Sequence, residues 1–94
     1  MDREAITQIC QRYRVKSLDL FGSAARGDMG PASDYDFLVE FAPPLDDYAD
    51  RYFGLKEELE ALLGRPVDLV VGKSIRNPYL RRSIEQNRVN VYAA

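Results

Sequence analysis

GSAARGDMGPASDYD, residues 22–36, sets a Gly-Ser turn ahead of two aspartates, Asp34 and Asp36, separated by one residue. A Gly-Ser turn at the end of an apolar strand offers backbone amides to phosphate, and aspartates two apart on a strand project from one face as hard oxygen donors for Mg²⁺. The stretch reads as a site for a metal-bound nucleotide, with a strand on either side of it.

Immediately upstream, Ser17 to Phe21 (SLDLF) is an apolar run ended by Gly22, too short for a helix of its own and read as a buried strand. Before it, Ile6, Ile9, Cys10 and Tyr13 recur at i, i+3, i+4 and i+7, one stripe of an amphipathic helix of about three turns. The small residues, Gly and Pro between Gly22 and Ser33 leave room for one helical turn at Ala24 to Arg26. Downstream, Asp36 to Phe41 (DFLVEF) alternates, so Phe37, Val39 and Phe41 share one face and Asp34, Asp36, Leu38 and Glu40 the other. The second strand therefore has a packed side and an active side.

Pro43 and Pro44 break the chain, Asp46 or Asp47 is suited to cap a long helix carrying Tyr52, Leu55, Leu59, Leu62 and Leu63, and Gly64 and Pro66 stop that helix. Gly54 inside it costs about 1 kcal/mol relative to Ala and points to close packing or a bend. Val67 to Val71 (VDLVV) is a third apolar strand with Asp68 within it. Asn77 caps a last helix with Pro78 in first position and Leu80 and Ile84 one turn apart, and Val89 to Tyr92 add an edge strand or a docking tail. No repeat, low-complexity tract or linker interrupts the order. Helix, strand, strand, helix, strand, helix describes one small α/β (α+β) domain over residues 1–94, a short mixed sheet with helices packed on one side and the other left for chemistry.

The 94 residues are 46% apolar and 30% charged, an ordinary soluble composition, and a chain of this length buries roughly 60 to 70% of its unfolded surface. No run approaches the roughly 18 apolar residues of a membrane span, and MDREAITQIC lacks the basic start and apolar core of a signal peptide, so a cytoplasmic address is expected. Cys10 is the only cysteine, which excludes an internal disulfide or a thiolate zinc cluster and reads as a core residue. There is no histidine, so Ser-His-Asp and Cys-His mechanisms fall away and catalysis rests on carboxylates and metal. A net charge of −2 argues against general nucleic-acid binding. After Asp68, however, Lys73, Arg76, Arg81, Arg82 and Arg88 stand against Glu85 alone, a basic tail suited to an acidic partner or phosphate, or simply a solvated face.

Same-face residues of a strand lie about 6.5 to 7 Å apart, so Asp34 and Asp36 converge on one metal cluster if the strand bends at its start, and Asp68 on a neighbouring strand supplies a third carboxylate. Three such groups repel at neutral pH unless a cation neutralises them, and Mg²⁺, with oxygen ligands and places left for water and phosphates, is the natural candidate. Gly22 lets the backbone approach a phosphate, and Ser23 offers a hydroxyl and an amide. Arg26 either offsets triphosphate charge or faces outward. Asp28 and Glu40 read as solvated, and Tyr35 as packed.

Gly22-Ser23, ten residues, then Asp34-Tyr35-Asp36 resembles the GSx10DxD signature of the polymerase-beta-like nucleotidyltransferase superfamily, and Ala25-Arg26-Gly27 is typical of its minimal nucleotidyltransferase branch. That branch consists of single domains of about this size, so the resemblance covers nearly the whole chain. It implies that Gly22 and Ser23 hold the triphosphate of ATP, that Asp34 and Asp36 bind two Mg²⁺ ions, and that Asp68 completes the catalytic site. In-line attack on the α-phosphorus, with loss of pyrophosphate, is the implied reaction, Asp68 ligating the metal that activates the acceptor hydroxyl. Members of the branch are commonly encoded beside a HEPN-domain protein, an RNase-type toxin. The resemblance therefore implies the antitoxin of a type VII HEPN/MNT pair, a hetero-oligomer in which AMP passes from ATP to a tyrosine hydroxyl of the toxin. Three alternatives stand beside it: an antitoxin that masks its partner without catalysis, a nucleotidyltransferase for a small hydroxyl compound, and a nucleic-acid modifier tracking RNA with the basic tail.

Overall fold

The computed structural model describes residues 2–28, 30, 33–72 and 77–94, so Lys73 and Arg76 of the basic tail, and the side chain of Leu80, lie outside the described residues. The elements run α1 (Arg3–Arg12), β1 (Val15–Phe21), α2 (Gly22–Arg26), β2 (Tyr35–Phe41), α3 (Tyr48–Leu63), β3 (Val67–Val71), α4 (Pro78–Asn87) and β4 (Val89–Ala93). The strands form one mixed sheet in the order β3-β2-β1-β4, antiparallel at β1/β2 and β1/β4 and parallel at β2/β3. The parallel pair is bridged by α3, the length of connection that a crossover between parallel strands needs.

The alternation expected for β2 holds, with Phe37, Val39 and Phe41 buried and Glu40 exposed. Leu18 and Leu20 of β1 stand opposite Val39 and Phe37 and share their face. Against that face pack Ile6, Ile9 and Cys10 from α1 and Leu55 and Leu59 from α3, giving one core. Burial pushes the Cys10 thiol up to about 12, as befits a small core residue. Leu62, one of the apolar residues read along this helix, is exposed at 37%, unlike Leu55 and Leu59. The close packing that Gly54 suggested is supplied by α1: a Cβ on Gly54 would collide with the Tyr13 ring, whose Oη lies 2.9 Å from that point.

Both glycine-stopped and asparagine-capped helix ends follow the sequence. Gly64 ends α3 with φ +68°, and Asn77 Oδ1 accepts from the Tyr79 amide at 2.9 Å at the start of α4. Asp47 occupies the cap position of α3 but makes no capping bond, because its carboxylate is taken by Arg14, with both oxygens at 2.8 Å. The tail is an edge strand, with Val91 buried and Tyr92 half-buried against β1, while Tyr79 is exposed.

One corner was not legible beforehand. Arg51 of α3 is only 4% exposed, and its guanidinium donates to the carbonyls of Tyr13, Arg14, Ala42 and Pro44 at 2.7–2.9 Å while stacking 5.0 Å over the Phe41 ring. A buried cation is tolerated there because its N–H groups meet acceptors.

While α1 and α3 back one side of the sheet, as expected, α4 lies on the other. Its Ile84 is buried against Phe21, with Leu38 and Val70 packed beside them. Among the described residues no helix is long and apolar enough to cross a membrane.

Candidate active site

β1 passes into α2 without a loop, Phe21 being the last strand residue and Gly22 the first helical one. Gly22 has φ +72°, a conformation that L side chains resist, and a Cβ there would run into the carboxylate of Asp36. Glycine is therefore required twice over, by backbone conformation and by the approach of Asp36, which pairs with Phe21 across the β1/β2 ladder. The half-buried Ser23 follows at the head of α2, and its carbonyl accepts from the Gly27 and Asp28 amides. Arg26 is exposed and pairs with Asp28 at 3.3 Å.

Asp36 and Asp68 are partners in the parallel β2/β3 register, so both leave the sheet from the same face. Asp34 lies one residue ahead of β2 and is exposed, as is Asp68, whereas Asp36 is half-buried. Burial raises the Asp36 carboxyl above its ordinary value, the neighbouring charges of Asp68 and Asp34 raise it further, and Arg26 pulls it back. Gly22 and Asp68 thus stand directly beside Asp36, and the charges of Asp34 and Arg26 act on it.

Asp36 carries a cost of ionisation that a divalent cation would relieve, and three carboxylates without histidine or thiolate suit a hard ion such as Mg²⁺. The cage is not closed in advance: among the described residues no three acidic side chains stand together tightly enough to hold an ion as they are. The donor chemistry fits the ion.

Leu38 and Val70, two residues on from Asp36 and Asp68 and on the same face, pack with Phe21 and Ile84 as a wall beside the carboxylates. Beyond that wall, under α4, is a cavity of about 370 Å³ that Asp34, Asp36 and Asp68 do not line. Asp19, read only as part of a strand, is 8% exposed beside this cavity, bonded by Asn90 at 2.7 Å and paired with Arg88 at 3.6 Å. Glu40 is exposed and pairs with Lys16, and Tyr35 packs parallel to Phe37 with ring centres 6.1 Å apart. A further residue escaped the sequence reading: Arg65, whose guanidinium reaches the backbone just ahead of Asp34. The available signal was a long cation set between the Gly64 helix stop and the strand of Asp68.

The sequence pattern of the nucleotidyltransferase domain matches residues 2–91. A provisionally named protein adenylyltransferase of Methanocaldococcus jannaschii is 46% identical over 80 residues, 85% of this chain and 80% of that protein. A solved structure described as a provisionally assigned minimal nucleotidyltransferase superposes with a TM-score of 0.70 at 37% identity, over 93% of this chain and 86% of its own. A complex from Shewanella oneidensis, in which a tri-AMPylated HEPN toxin is bound by an MNT antitoxin, gives a TM-score of 0.65 at 21% identity, over 98% of this chain and 70% of that one, a likeness of fold.

Proposed function

This chain belongs to the nucleotidyltransferase domain family, and from that premise we propose that it transfers AMP from ATP to a tyrosine hydroxyl of a partner HEPN-domain toxin, silencing it as the antitoxin of a type VII pair in the cytoplasm. The observation that carries this reading is the pairing of Asp36 with Asp68 across β2/β3, with Asp36 lying against the backbone of Gly22. Carboxylates and the phosphate-suited turn meet at one end of the sheet, where β1 finishes and β2 and β3 begin.

In this mechanism the backbone at Gly22, free of a Cβ, admits the triphosphate to the Asp36 edge, and Ser23 donates its hydroxyl and amide to phosphate oxygens. Arg26 offsets negative charge on the triphosphate. Asp34, Asp36 and Asp68 would hold Mg²⁺, which would supply positive charge to the phosphate oxygens and ease loss of the hydroxyl proton. The tyrosine oxygen forms its bond to the α-phosphorus as the bond from that phosphorus to the bridging oxygen breaks, and pyrophosphate leaves with the electron pair. The phenol proton passes to the Asp68 carboxylate and on to water.

The test is incubation of this chain and its HEPN partner with α-labelled ATP and Mg²⁺, followed by mapping of the label. Label on a partner tyrosine is expected with the native chain. With Asp36→Asn it should vanish while the complex still forms. A native complex that neutralises the toxin without acquiring label would overturn the catalytic reading.

A further inference from the structure

We infer that Arg65 is a positioning residue for the carboxylate cluster, fixing the backbone that delivers Asp34 and thereby setting the divalent-metal affinity of the site. The inference rests on the nucleotidyltransferase reading of Asp34, Asp36 and Asp68.

Asp36 and Asp68 are placed by the sheet itself, each opposite the other in the β2/β3 register. Asp34 has no such support, since β2 begins at Tyr35 and the paired residues of β2 extend no further back than Tyr35. On an ideal strand it would stand about 6.5 to 7 Å from its same-face neighbour, so its approach to the other two depends on whatever holds the chain just before the strand.

The turn between α3 and β3 does that holding. One guanidinium nitrogen of Arg65, Nη1, donates to the carbonyl of Gly30 at 2.6 Å and reaches that of Ser33 at 3.4 Å. The next residue, Pro66, accepts from the Tyr35 amide at 3.0 Å. Ser33 and Tyr35, the two neighbours of Asp34, are therefore both tied to consecutive residues of one turn. Ser33 and Gly30 are also tied to each other, the Ser33 amide donating to the Gly30 carbonyl at 3.1 Å and the Gly30 amide to Ser33 Oγ at 2.9 Å.

The turn is anchored from behind as well. The Gly64 amide donates to the Glu60 carbonyl at 2.9 Å, and Glu60 Oε2 accepts from the Val67 amide at 3.0 Å. Val67 immediately precedes Asp68. The segment from Gly64 to Val67 thus fastens the backbone beside Asp34 and the backbone beside Asp68 to the end of the same helix, and among the described residues Arg65 is the side chain of that segment that bonds toward Asp34. Bonds from a cation to carbonyls are stronger than neutral ones, and side chains that orient metal-binding groups commonly govern affinity without touching the ion.

The experiment measures Mn²⁺ binding to the full chain from the electron paramagnetic resonance signal of the free ion, together with turnover against Mg²⁺ concentration in the complex with the partner. Arg65→Ala is expected to weaken Mn²⁺ binding roughly 10- to 100-fold, the range usual for loss of such an orienting partner, while raised Mg²⁺ restores turnover. Arg65→Lys, which keeps the cation at shorter reach, should fall between the two. A folded Arg65→Ala chain with native Mn²⁺ affinity would overturn the assignment, and if that variant does not fold, native affinity in Arg65→Lys would do so. A native chain that binds no Mn²⁺ even beside its partner would bring down the nucleotidyltransferase reading itself, a different result from native binding that is indifferent to residue 65.

Discussion

The side chain of Asp36 fills the space that a Cβ on Gly22 would require, its own Cγ lying 3.3 Å from that point. Gly22→Ala should therefore displace the central carboxylate as well as strain the backbone at φ +72°. Gly27 supplies the control, because at φ +80° it carries the same conformational strain with nothing within 4 Å of the added carbon. Each substitution is expected to cost about 1 to 2 kcal/mol in chemical denaturation. Only Gly22→Ala should abolish Mg²⁺-dependent ATP binding by calorimetry.

Asp36 is raised by burial first, then by Asp68 and Asp34, so the folded chain holds its proton to a higher pH than the unfolded chain does. Below the ordinary carboxylate value both states are protonated and nothing is lost; the penalty grows as pH rises from that value through the raised one and is complete above it. In metal-free buffer Asp36→Asn should accordingly melt higher than the native chain at pH 7, with the gap closing in acid. Adding Mg²⁺ should raise the melting temperature of the native chain alone.

Gly54→Ala would ordinarily gain about 1 kcal/mol of helix propensity. Here the added methyl meets the Tyr13 ring, and a net loss of about 1 to 3 kcal/mol is expected instead. The loss should shrink in the Gly54→Ala, Tyr13→Leu double variant, a coupling that a double-mutant cycle measures directly.

Glu58 accepts from the Tyr13 hydroxyl and pairs with Arg12, and these partners hold its carboxyl below the usual range, the tyrosine bond first. The stability it confers is intact above its ordinary value, declines as pH falls below that value, and is gone once pH passes the lowered one. Glu58→Gln should flatten this part of the acid limb in a series of melting curves at stepped pH, leaving the neutral region with a small offset.

Most of the framework could be read from the chain because local pattern and tertiary demand agree in it. The alternation of DFLVEF, the glycine stop at Gly64 and the Asn77-Pro78 helix start each express a constraint carried by a few adjacent residues. The juxtaposition of two candidate carboxylates was legible for the same reason, since strand register sets Asp36 opposite Asp68 once both strands are recognised. What remained hidden are contacts between remote segments. Asp47 looks like a cap and is claimed by Arg14, Arg51 sits at a helical position with nothing nearby to announce four distant carbonyls, and Arg65 acts on backbone more than thirty residues upstream. The side of the sheet taken by α4 was hidden too, because it is decided by Ile84 meeting Phe21, Leu38 and Val70 after the chain has turned back.

Arg51 draws its four carbonyl acceptors from the exit of α1 and from the stretch that follows β2, while belonging itself to α3. Lifting α3 away would strand a charge and leave all four acceptors unanswered in one event, so this corner has no gradual way to come apart. Amide hydrogens of the first helix, the sheet exit and the long helix should consequently exchange together, so that the corner at the opposite end of β2 from Asp36 opens as a single latch rather than as three separable hinges.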